Sequence, residues 1–496
     1  MNWLVYMKPF TIFPLISLLL ALFTWIFSIE ITPYAQQPAP PIGIVDEACQ
    51  TDTPLLPQHT VVADVSYSEK TVHVIQKIHY HNMTSTALSD LVLNIDANRW
   101  ANTFLLQELM VNDTPVDYTL DEKRLTMTLD APLGIGCTLN ISLKFDLAVP
   151  QIGGGLITDS KGYFGYTERQ LNLGHWLASV AIYENNDWIT QPAFYIGEQE
   201  VISPADWMVT FNFINPPSNL MVAAPGIETK LTPTTWQYVH LNSRDFSASI
   251  SDMFNIAVEI LPDGTQVELY TFTDLAPEGN RSVLPEEIVI QALRSATQSF
   301  EMFSDLFGAY SYQRLAVVQG DFPDGMEFSG LVFVGNRWFV RYNGDPASYL
   351  TLITVHEVSH QWWYAQVGND PAMTPWLDEA LATYSEYIFI EEYYPDLREW
   401  WWQFRVRDFA PEGFVDSSIY DFPNIRAYIN AVYLRGVQML HEIRGKIGKE
   451  AFFGLLRAYA QTKNGEIALP QDFWALMTPA QLSDTQEIRN RYLRVP

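Results

Sequence analysis

Cysteine, histidine and basic residues are all scarce in this chain. Its 496 residues include two cysteines, nine histidines and 29 lysines and arginines, against 57 aspartates and glutamates. The resulting formal net charge of −28 at pH 7 repels nucleic acid and anionic lipid, so we do not expect nucleic-acid binding. The same acidity suits cationic ligands, or serves only to keep the surface soluble. An apolar fraction of 48% predicts a folded protein with well-formed cores.

Charge is also absent from the N-terminal run "PFTIFPLISLLLALFTWIFSI", which occupies residues 9–29 between Lys8 and Glu30. A run of this length is long enough to span a bilayer. The cationic flank before it and the acidic flank after it place the N-terminus inside and the rest of the chain outside. We therefore predict that residues 1–30 are a transmembrane anchor, with a cleaved secretory signal as the alternative. Both alternatives export the bulk of the chain.

The two cysteines, Cys49 and Cys137, lie in the part of the chain predicted to be exported. An oxidising compartment would permit a disulfide between them, and two separate thiols are the alternative. The sequence alone does not choose between these two states.

Composition divides the remainder of the chain into three regions. Residues 31–57 are proline-rich without an apolar period and predict a linker. Residues 58–273 contain short, β-branched, alternating segments separated by turn residues, which predict an all-β domain. In residues 274–496, apolar residues recur mostly at helical spacing, with a small strand component. The predicted fold class is α+β and multidomain, with an N-terminal all-β domain followed by a mostly helical domain.

Two of the nine histidines, His356 and His360, stand four residues apart in "HEVSHQWW". In a helix, residues at this spacing face the same way, so both imidazoles would point to one place, with Glu357 adjacent to that face. A zinc ion accepts two such nitrogens, requires a third protein ligand and leaves one position open for water. Taken alone, the motif is also compatible with a partly buried helix that happens to contain two histidines.

Glu379 is the third ligand that such a site requires. It follows His360 after 18 residues, in "PWLDEALATYSEYIF", where a Pro-containing loop allows a second helix to pack back against the first. Two histidines and a glutamate are the ligands of catalytic rather than structural zinc, and no cysteine lies nearby to form a closed thiolate site. We therefore predict one Zn²⁺ per chain, bound by His356, His360 and Glu379.

"HEVSHQWW", followed at that spacing by "WLDEALA", resembles the aminopeptidase N-like gluzincins, whose pattern is H-E-x-x-H-x18-E. The resemblance covers the chain from about residue 58 onward and implies a β-domain followed by a thermolysin-like zinc peptidase domain. Many members continue into further domains, including a large helical one that covers the active site, whereas this sequence stops at Pro496. We expect an open cleft that admits long peptides.

Two further segments resemble the family in the correct order. The stretch "DGMEFSGLV" is similar to the Gly-x-Met-Glu-x exopeptidase motif through Gly325, Met326 and Glu327, with Phe328 where many members have Asn or Tyr. The resemblance implies that these residues bind substrate and that Glu327 holds its free α-ammonium group, which would favour aminopeptidase action. A carboxylate suits a cationic amine by charge pairing.

The segment "VYLRG" resembles the family's Tyr-x-Lys-Gly motif, with Tyr433 and Gly436 matching and Arg435 in place of Lys. On its own, a helical tyrosine indicates packing with a polar tip. The resemblance implies instead that the Tyr433 hydroxyl donates to the oxyanion that forms during peptide hydrolysis.

Chemistry assigns the proton acceptor independently of the resemblance. Zinc lowers the pKa of a bound water toward neutrality, and Glu357 is the neighbouring carboxylate that would take the proton and pass it to the leaving amine. Glu386 lies seven residues after Glu379 on the same helix face. It would either accept a ring N–H from a ligating histidine or face solvent.

The sequence therefore predicts a zinc aminopeptidase that acts on peptides outside the cytoplasm, anchored to the membrane by residues 9–29. A thermolysin-like endopeptidase, in which Glu327 has another role, is the first alternative. The second alternative is an exported binding protein on an inactive peptidase scaffold, although such a scaffold would usually show a broken ligand set.

Overall fold

The computed structural model describes residues 49, 56–153, 162–279 and 282–495, all within one compact unit. Cys49 and Cys137 form a disulfide, which settles the choice that the sequence left open. In the described part of the chain, no helix combines the length and the apolar character needed to cross a bilayer. The run at residues 9–29 lies outside the described residues, so the membrane anchor stays a prediction.

The first half of the chain consists of β-strands. They are β1 (Gln58–Ser66), β2 (Thr71–His81), β3 (Leu88–Asn94), β4 (Phe104–Val111), β5 (Thr114–Pro115), β6 (Tyr118–Asp121), β7 (Arg124–Leu133), β8 (Thr138–Ala148), β9 (Phe164–Tyr166), β10 (Leu171–Leu173), β11 (Ser179–Val180), β12 (Ile182–Glu184), β13 (Asp187–Ile189), β14 (Ala205–Phe213), β15 (Met221–Ala223), β16 (Ile227–Thr232), β17 (Thr235–Ser243) and β18 (Ala248–Ser251).

An eight-stranded sheet, with the strand order β16-β17-β14-β1-β2-β8-β4-β5, dominates this half. Within it, β1 pairs parallel with β14 and antiparallel with β2. Strand β14 buries every second residue, which is the period-two pattern expected of a sheet with one face on a core. The all-β prediction for this half is confirmed.

A second sheet contains β19 (Phe254–Ile260), β20 (Gln266–Phe272), β21 (Arg314–Gly320), β22 (Gly325–Phe328) and β23 (Leu331–Gly335). Its order is β19-β20-β21-β23-β22, with β20, β21 and β23 parallel and β22 antiparallel to β23. The sheet crosses the domain boundary that we predicted at residue 273, because two of its strands precede that residue and three follow it. Its edge strand β22 carries the predicted exopeptidase motif.

The second half of the chain is mostly helical. Its α-helices are α1 (Pro285–Phe307), α2 (Asn336–Arg341), α3 (Tyr349–Ser359), α4 (Glu379–Tyr393), α5 (Arg398–Trp401), α6 (Ile425–Tyr428), α7 (Arg435–Ile447), α8 (Lys449–Thr462), α9 (Pro470–Ala475), α10 (Pro479–Asp484) and α11 (Gln486–Tyr492). Short π-helical segments at Gln361–Gln366, Trp402–Val406 and Ile429–Leu434 interrupt this series. The predicted fold class, an all-β domain followed by a mostly helical domain, is confirmed.

Helix α1 connects the parallel strands β20 and β21. Its start after Leu284 and its end at Gly308 agree with the sequence, because Pro285 suits the first helical position and Gly308 has a φ of 127° that side chains rarely adopt. Helix α1 packs against α3, and the five-stranded sheet lies against α3 as well. Helix α3 is therefore buried between α1 and the sheet, from Leu350 to Ser359.

Candidate metal and peptidase site

Helix α3 carries both histidines of the predicted site. All of its residues from Leu350 to Ser359 are buried, which is why this segment has no polar face in the sequence. The apolar spacing of the sequence from Ser348 to Val367 predicts one continuous helix, and this prediction is wrong at its C-terminal end. The helix stops at Ser359, and the backbone leaves helical geometry at Trp363 and Tyr364.

Buried hydrogen bonds explain why the chain bends there. The carbonyl oxygen of Trp363 accepts the Nδ1–H of His360 at 2.9 Å, and that of Tyr364 accepts Nε–H of Arg244 at 2.6 Å. Arg244 is a buried residue of the β-domain that also donates to the carbonyl oxygens of Ile202, Gln366 and Glu466. A continued helix would have tied these carbonyl groups up in its own hydrogen bonds.

The structure brings His356, His360 and Glu379 together as predicted. One ligand atom from each lies within 4.8 Å of the others. Glu379 Oε2 is 3.2 Å from Nε2 of His356 and 3.6 Å from Nε2 of His360. Glu379 is the first residue of α4, where the side chain of Asp378 accepts its backbone N–H at 2.7 Å. This cap fixes where α4 begins and places the Glu379 carboxylate at the two imidazoles.

The outer nitrogens of both imidazoles already have partners. Nδ1 of His356 is 3.0 Å from Oε1 of Glu386, and Nδ1 of His360 is 2.9 Å from the Trp363 carbonyl oxygen. Because both partners accept, each Nδ1 carries a proton, which leaves Nε2 of each ring as the nitrogen available to bind a metal ion. The contact between Glu386 and a ligating histidine, one of two alternatives from the sequence, is thereby confirmed.

These three groups fit a zinc ion. Zinc binds imidazole nitrogen and carboxylate oxygen at about 2.0–2.2 Å in tetrahedral geometry, which places neighbouring ligand atoms about 3.4 Å apart. The separations of 3.2 and 3.6 Å from the Glu379 oxygen bracket that value. A set of two imidazoles and one carboxylate leaves the fourth position of a tetrahedron open.

Electrostatics around the three ligands favour a cation. Burial would lower the pKa of His356, but its hydrogen bonds to Glu379 and Glu386 raise that pKa to about 10. Burial would raise the pKa of Glu379, but His356 and His360 lower it overall. Burial and the neighbouring His356 lower the pKa of His360 to about 4. Without a metal ion, the Glu379 carboxylate is ionised and a protonated His356 supplies the positive charge beside it. A metal ion bound to the site would supply that charge instead.

Glu357 lies beside the ligands with its carboxylate buried. Burial, together with the charges of Glu379, Asp324 and Glu386, raises its pKa to about 8 against the opposing effect of His356. Its Oε2 has no hydrogen-bond partner among the described residues. A carboxylate with a pKa near neutrality and one unoccupied oxygen has the properties of a general base.

Gly325 leaves the space that the Glu357 carboxylate occupies. A Cβ built on Gly325 would lie 2.0 Å from Oε1 and 2.4 Å from Cδ of Glu357. The glycine of the exopeptidase motif is therefore explained by contact with the predicted base and not by its backbone conformation.

We expect Gly325→Ala to lower kcat at least tenfold, because the new methyl group displaces the end of the Glu357 side chain and so misplaces the proton acceptor. Zinc content and the unfolding midpoint should change little, since the Glu357 side chain can rotate. Gly445→Ala is the matched control, because nothing lies within 4 Å of a Cβ there. Equal kcat for the two variants would contradict this role of Gly325.

Glu327 lies on β22 next to the metal ligands. It forms a second cluster with Glu357 and His360, in which one ligand atom from each lies within 4.8 Å of the others. Burial raises the pKa of Glu327 well above its usual range, and the charges of Glu379 and Glu198 raise it further. A buried carboxylate surrounded by like charges is stabilised by a cation placed against it.

A single glutamine fixes β22 against the histidine helix. Gln361 donates to the carbonyl oxygen of Phe328 at 3.0 Å and accepts the backbone N–H of Gly330 at 2.9 Å.

Met326, which we predicted to bind substrate, has a buried side chain that packs in the core of the β-domain. Its substrate-binding role stays a prediction, and its packing anchors β22 on the side away from the site.

Tyr433 reaches the site from the π-helical segment before α7. Its ring is parallel to that of His356 at 6.0 Å between centroids, and its hydroxyl hydrogen-bonds with Glu379. Gly436 permits this approach, because a Cβ there would lie 2.4 Å from Cβ of Ala380 in α4. Arg435 stands in place of the lysine of the family motif. It donates to the carbonyl oxygen of Arg491 and so connects α7 with the C-terminal helix α11.

Two functional candidates escaped the sequence argument. Glu198 lies on a loop of the β-domain, yet its charge raises the pKa of Glu327 and acts on His360. Arg405 donates two hydrogen bonds to Glu386. Neither residue belongs to a motif, and each reaches the site only through tertiary folding, so no signal in one sequence could have found them.

Comparison with known proteins agrees with this geometry. The Peptidase family M1 domain matches residues 291–492, the segment that contains all three predicted metal ligands and Tyr433. This segment is therefore similar to the M1 peptidases, in agreement with the resemblance seen in the sequence.

Curated relatives of this M1 domain include aminopeptidase M1-A of Oryza sativa subsp. japonica, 22% identical over 275 residues, and aminopeptidase N of Lactococcus lactis subsp. lactis, 25% identical over 229 residues. These matches cover 52% and 41% of the chain, but only 30% and 26% of the respective relatives. The chain thus spans about a third or less of the length of the relatives it matches.

Solved structures cover much more of the chain. The M1 zinc metallopeptidase of Deinococcus radiodurans has a TM-score of 0.63 at 17% identity, covering 88% of this chain and 94% of that one. A mutant of that protein, bound to a Tyr-Ser-Ala substrate, also has a TM-score of 0.63 and is 18% identical. The shared fold extends over both the β-domain and the helical domain.

Proposed function

We propose that this protein is a zinc-dependent aminopeptidase that removes single residues from the free N-terminus of peptides. The observation that carries the proposal is the position of Glu327, whose carboxylate lies with Glu357 and His360 in one cluster. An acidic group at that place binds the substrate's α-ammonium and so sets the distance from the N-terminus to the bond that is cut. The aminopeptidase names of the curated relatives support this proposal.

The α-ammonium group lies between two carboxylates in this proposal. Glu327 is buried on β22, and Glu198 approaches it from the β-domain loop, since the Glu198 charge contributes to the raised pKa of Glu327. A cation placed between them removes the repulsion that raises the pKa of Glu327, so binding of the amine and ionisation of Glu327 support each other.

His356, His360 and Glu379 would hold one zinc ion. When bound there, zinc would supply a Lewis acid for the scissile carbonyl and would lower the pKa of a water molecule. Glu357 accepts the proton of the attacking water at its unpartnered Oε2 and then delivers it to the nitrogen of the leaving amine. The peptide bond is broken by addition of water, and the products are one amino acid and a peptide shorter by one residue.

Tyr433 would stabilise the oxyanion that forms when water adds to the carbonyl. Its hydroxyl hydrogen-bonds with Glu379, so it lies beside the proposed metal ligands. Burial, together with the charge of Glu379, raises the pKa of Tyr433 well above its usual value, which keeps the hydroxyl protonated as a donor.

We also propose that the enzyme acts outside the cytoplasm, anchored by residues 9–29. The uncharged run supports the anchor, and the disulfide between Cys49 and Cys137 supports an oxidising compartment. Protease added to intact cells should release most of the folded protein if this location is correct.

Release of coumarin from aminoacyl-coumarin substrates tests the proposed activity. Purified enzyme should release the dye, a chelator should abolish release, and added zinc should restore it. Release that is unaffected by complete removal of metal would contradict the proposal, as would an absence of release by the zinc-loaded enzyme from every aminoacyl derivative.

A further inference from the structure

Arg405 is a buried cation directly behind a metal ligand. It lies in the π-helical segment Trp402–Val406, and its side chain is 10% exposed. Its Nε donates to Oε2 of Glu386 at 2.9 Å, and its Nη2 donates to Oε1 at 2.8 Å. The Glu386 side chain itself is 0% exposed, so this ion pair is sealed from solvent.

One carboxylate oxygen connects the arginine to the metal site. Oε1 of Glu386 receives both Nη2–H of Arg405 and Nδ1–H of His356, the latter at 3.0 Å. A two-point guanidinium contact fixes the plane of a carboxylate, whereas a single donor leaves it free to turn about its last bond. Arg405 therefore determines which way the Oε1 lone pair faces.

The orientation of the His356 ring depends on that lone pair. His356 must present Nε2 to the place where Glu379 Oε2 lies, 3.2 Å away, and its other ring nitrogen contacts Glu386. The parallel ring of Tyr433 stacks against the imidazole at 6.0 Å, but stacking fixes only the plane of the ring and not the direction in which its nitrogens point. The hydrogen bond to Glu386 is then the directional restraint on the ring.

We propose that Arg405 is a positioning residue for zinc binding, acting through Glu386 on the orientation of His356. This inference rests on the proposed zinc site. In this proposal, the aromatic segment "REWWWQFRVRDF" places the guanidinium group of Arg405 against Glu386. Within this segment Trp401, Arg405 and Val406 are buried, and Arg405 alone contacts Glu386 from it by hydrogen bond among the described residues.

The decisive variant keeps the positive charge at position 405 and removes the two-point hydrogen bonding of the guanidinium group. Arg405→Lys preserves a cation beside Glu386 but offers a point donor, so the carboxylate can turn away from His356. We expect zinc to bind about tenfold more weakly or worse, which is the usual effect of losing an outer partner of a metal ligand. Competition with a chelator of known affinity, at one pH, measures the zinc dissociation constant without relying on activity.

A double variant separates positioning from folding. Arg405→Met leaves Glu386 buried without an ionic partner and could prevent folding, whereas Arg405→Met with Glu386→Gln removes both charges. If Arg405 acts through Glu386, the double variant should bind zinc as Glu386→Gln alone does. Losses that add in the double variant would show an independent effect of Arg405 and would overturn the proposal.

A second buried ion pair supplies the matched control. Arg314 Nη2 lies 2.6 Å from Oε2 of Glu268, with little exposure of either side chain and no contact with the metal ligands. Arg314→Lys should keep the wild-type zinc affinity. Wild-type affinity in Arg405→Lys, together with a lowered unfolding midpoint of the zinc-free protein, would reduce Arg405 to a structural role and overturn the inference. Zinc binding that survives His360→Ala would instead refute the proposed site itself.

Discussion

Glu357→Gln is expected to retain zinc and to lower kcat by about two to four orders of magnitude. Glutamine has the shape of glutamate but cannot accept the proton of the attacking water. The Glu357 carboxylate is suited to accepting and releasing a proton, because burial holds its pKa near 8 and its Oε2 has no hydrogen-bond partner in the described part of the chain. Zinc should remain, since the three ligands do not include Glu357.

Single-turnover kinetics and metal analysis of the same sample measure both quantities. Glu450→Gln, at an exposed position of α8, is the control for a neutralised glutamate elsewhere. Unchanged turnover in Glu357→Gln would place the general base on another residue. Loss of zinc together with loss of turnover would make Glu357 a ligand, contrary to the geometry of the site.

Removal of a ligand should have an even larger effect. We expect His360→Ala and Glu379→Ala each to lose both zinc and measurable activity, because a site with only two protein ligands binds zinc weakly. His360 is the sharper choice, since its Nδ1 contacts only a backbone carbonyl and its loss leaves no charge unpaired. Wild-type protein should contain about one zinc per chain.

Metal analysis after dialysis against a weak chelator distinguishes the ligands from other histidines. His73→Ala is the control, because the His73 side chain is exposed on β2 of the β-domain, where it pairs with Asp146. Full zinc content in both His360→Ala and Glu379→Ala would eliminate this metal site.

The metal site could be predicted from the sequence because its ligands follow local rules. Helical spacing brings His356 and His360 to one face, and the reversal before Glu379 requires only a loop and a second helix. The same helical period placed Glu386 on the face of Glu379, but it left open whether Glu386 contacts a histidine or faces solvent. The bend after His360 could not be predicted, because it depends on Arg244, which approaches from the β-domain.

Residues that reach the site from distant segments were not predictable for the same reason. Arg405 lies in a stretch that has only an aromatic helix pattern, and Glu198 lies in a loop of the other domain. The buried contacts that bring them to the metal ligands arise between elements far apart in sequence. The five-stranded sheet shows the same limit, since β20 pairs with β21 across a boundary that composition alone had drawn at residue 273.

Cleavage of two matched peptides tests the central claim most directly. Wild-type zinc-loaded enzyme is incubated with a heptapeptide that has a free N-terminus and with its N-acetylated twin, and mass spectrometry identifies every product. Acetylation removes the charge that pairs with Glu327, a loss that typically costs about 2–5 kcal/mol, or about 30-fold to several-thousand-fold in kcat/KM. The account predicts stepwise loss of single residues from the free peptide and resistance of the acetylated peptide. In Glu327→Ala, the difference in kcat/KM between the two peptides should be smaller. Efficient internal cleavage of the acetylated peptide by the wild-type enzyme would contradict it and identify an endopeptidase.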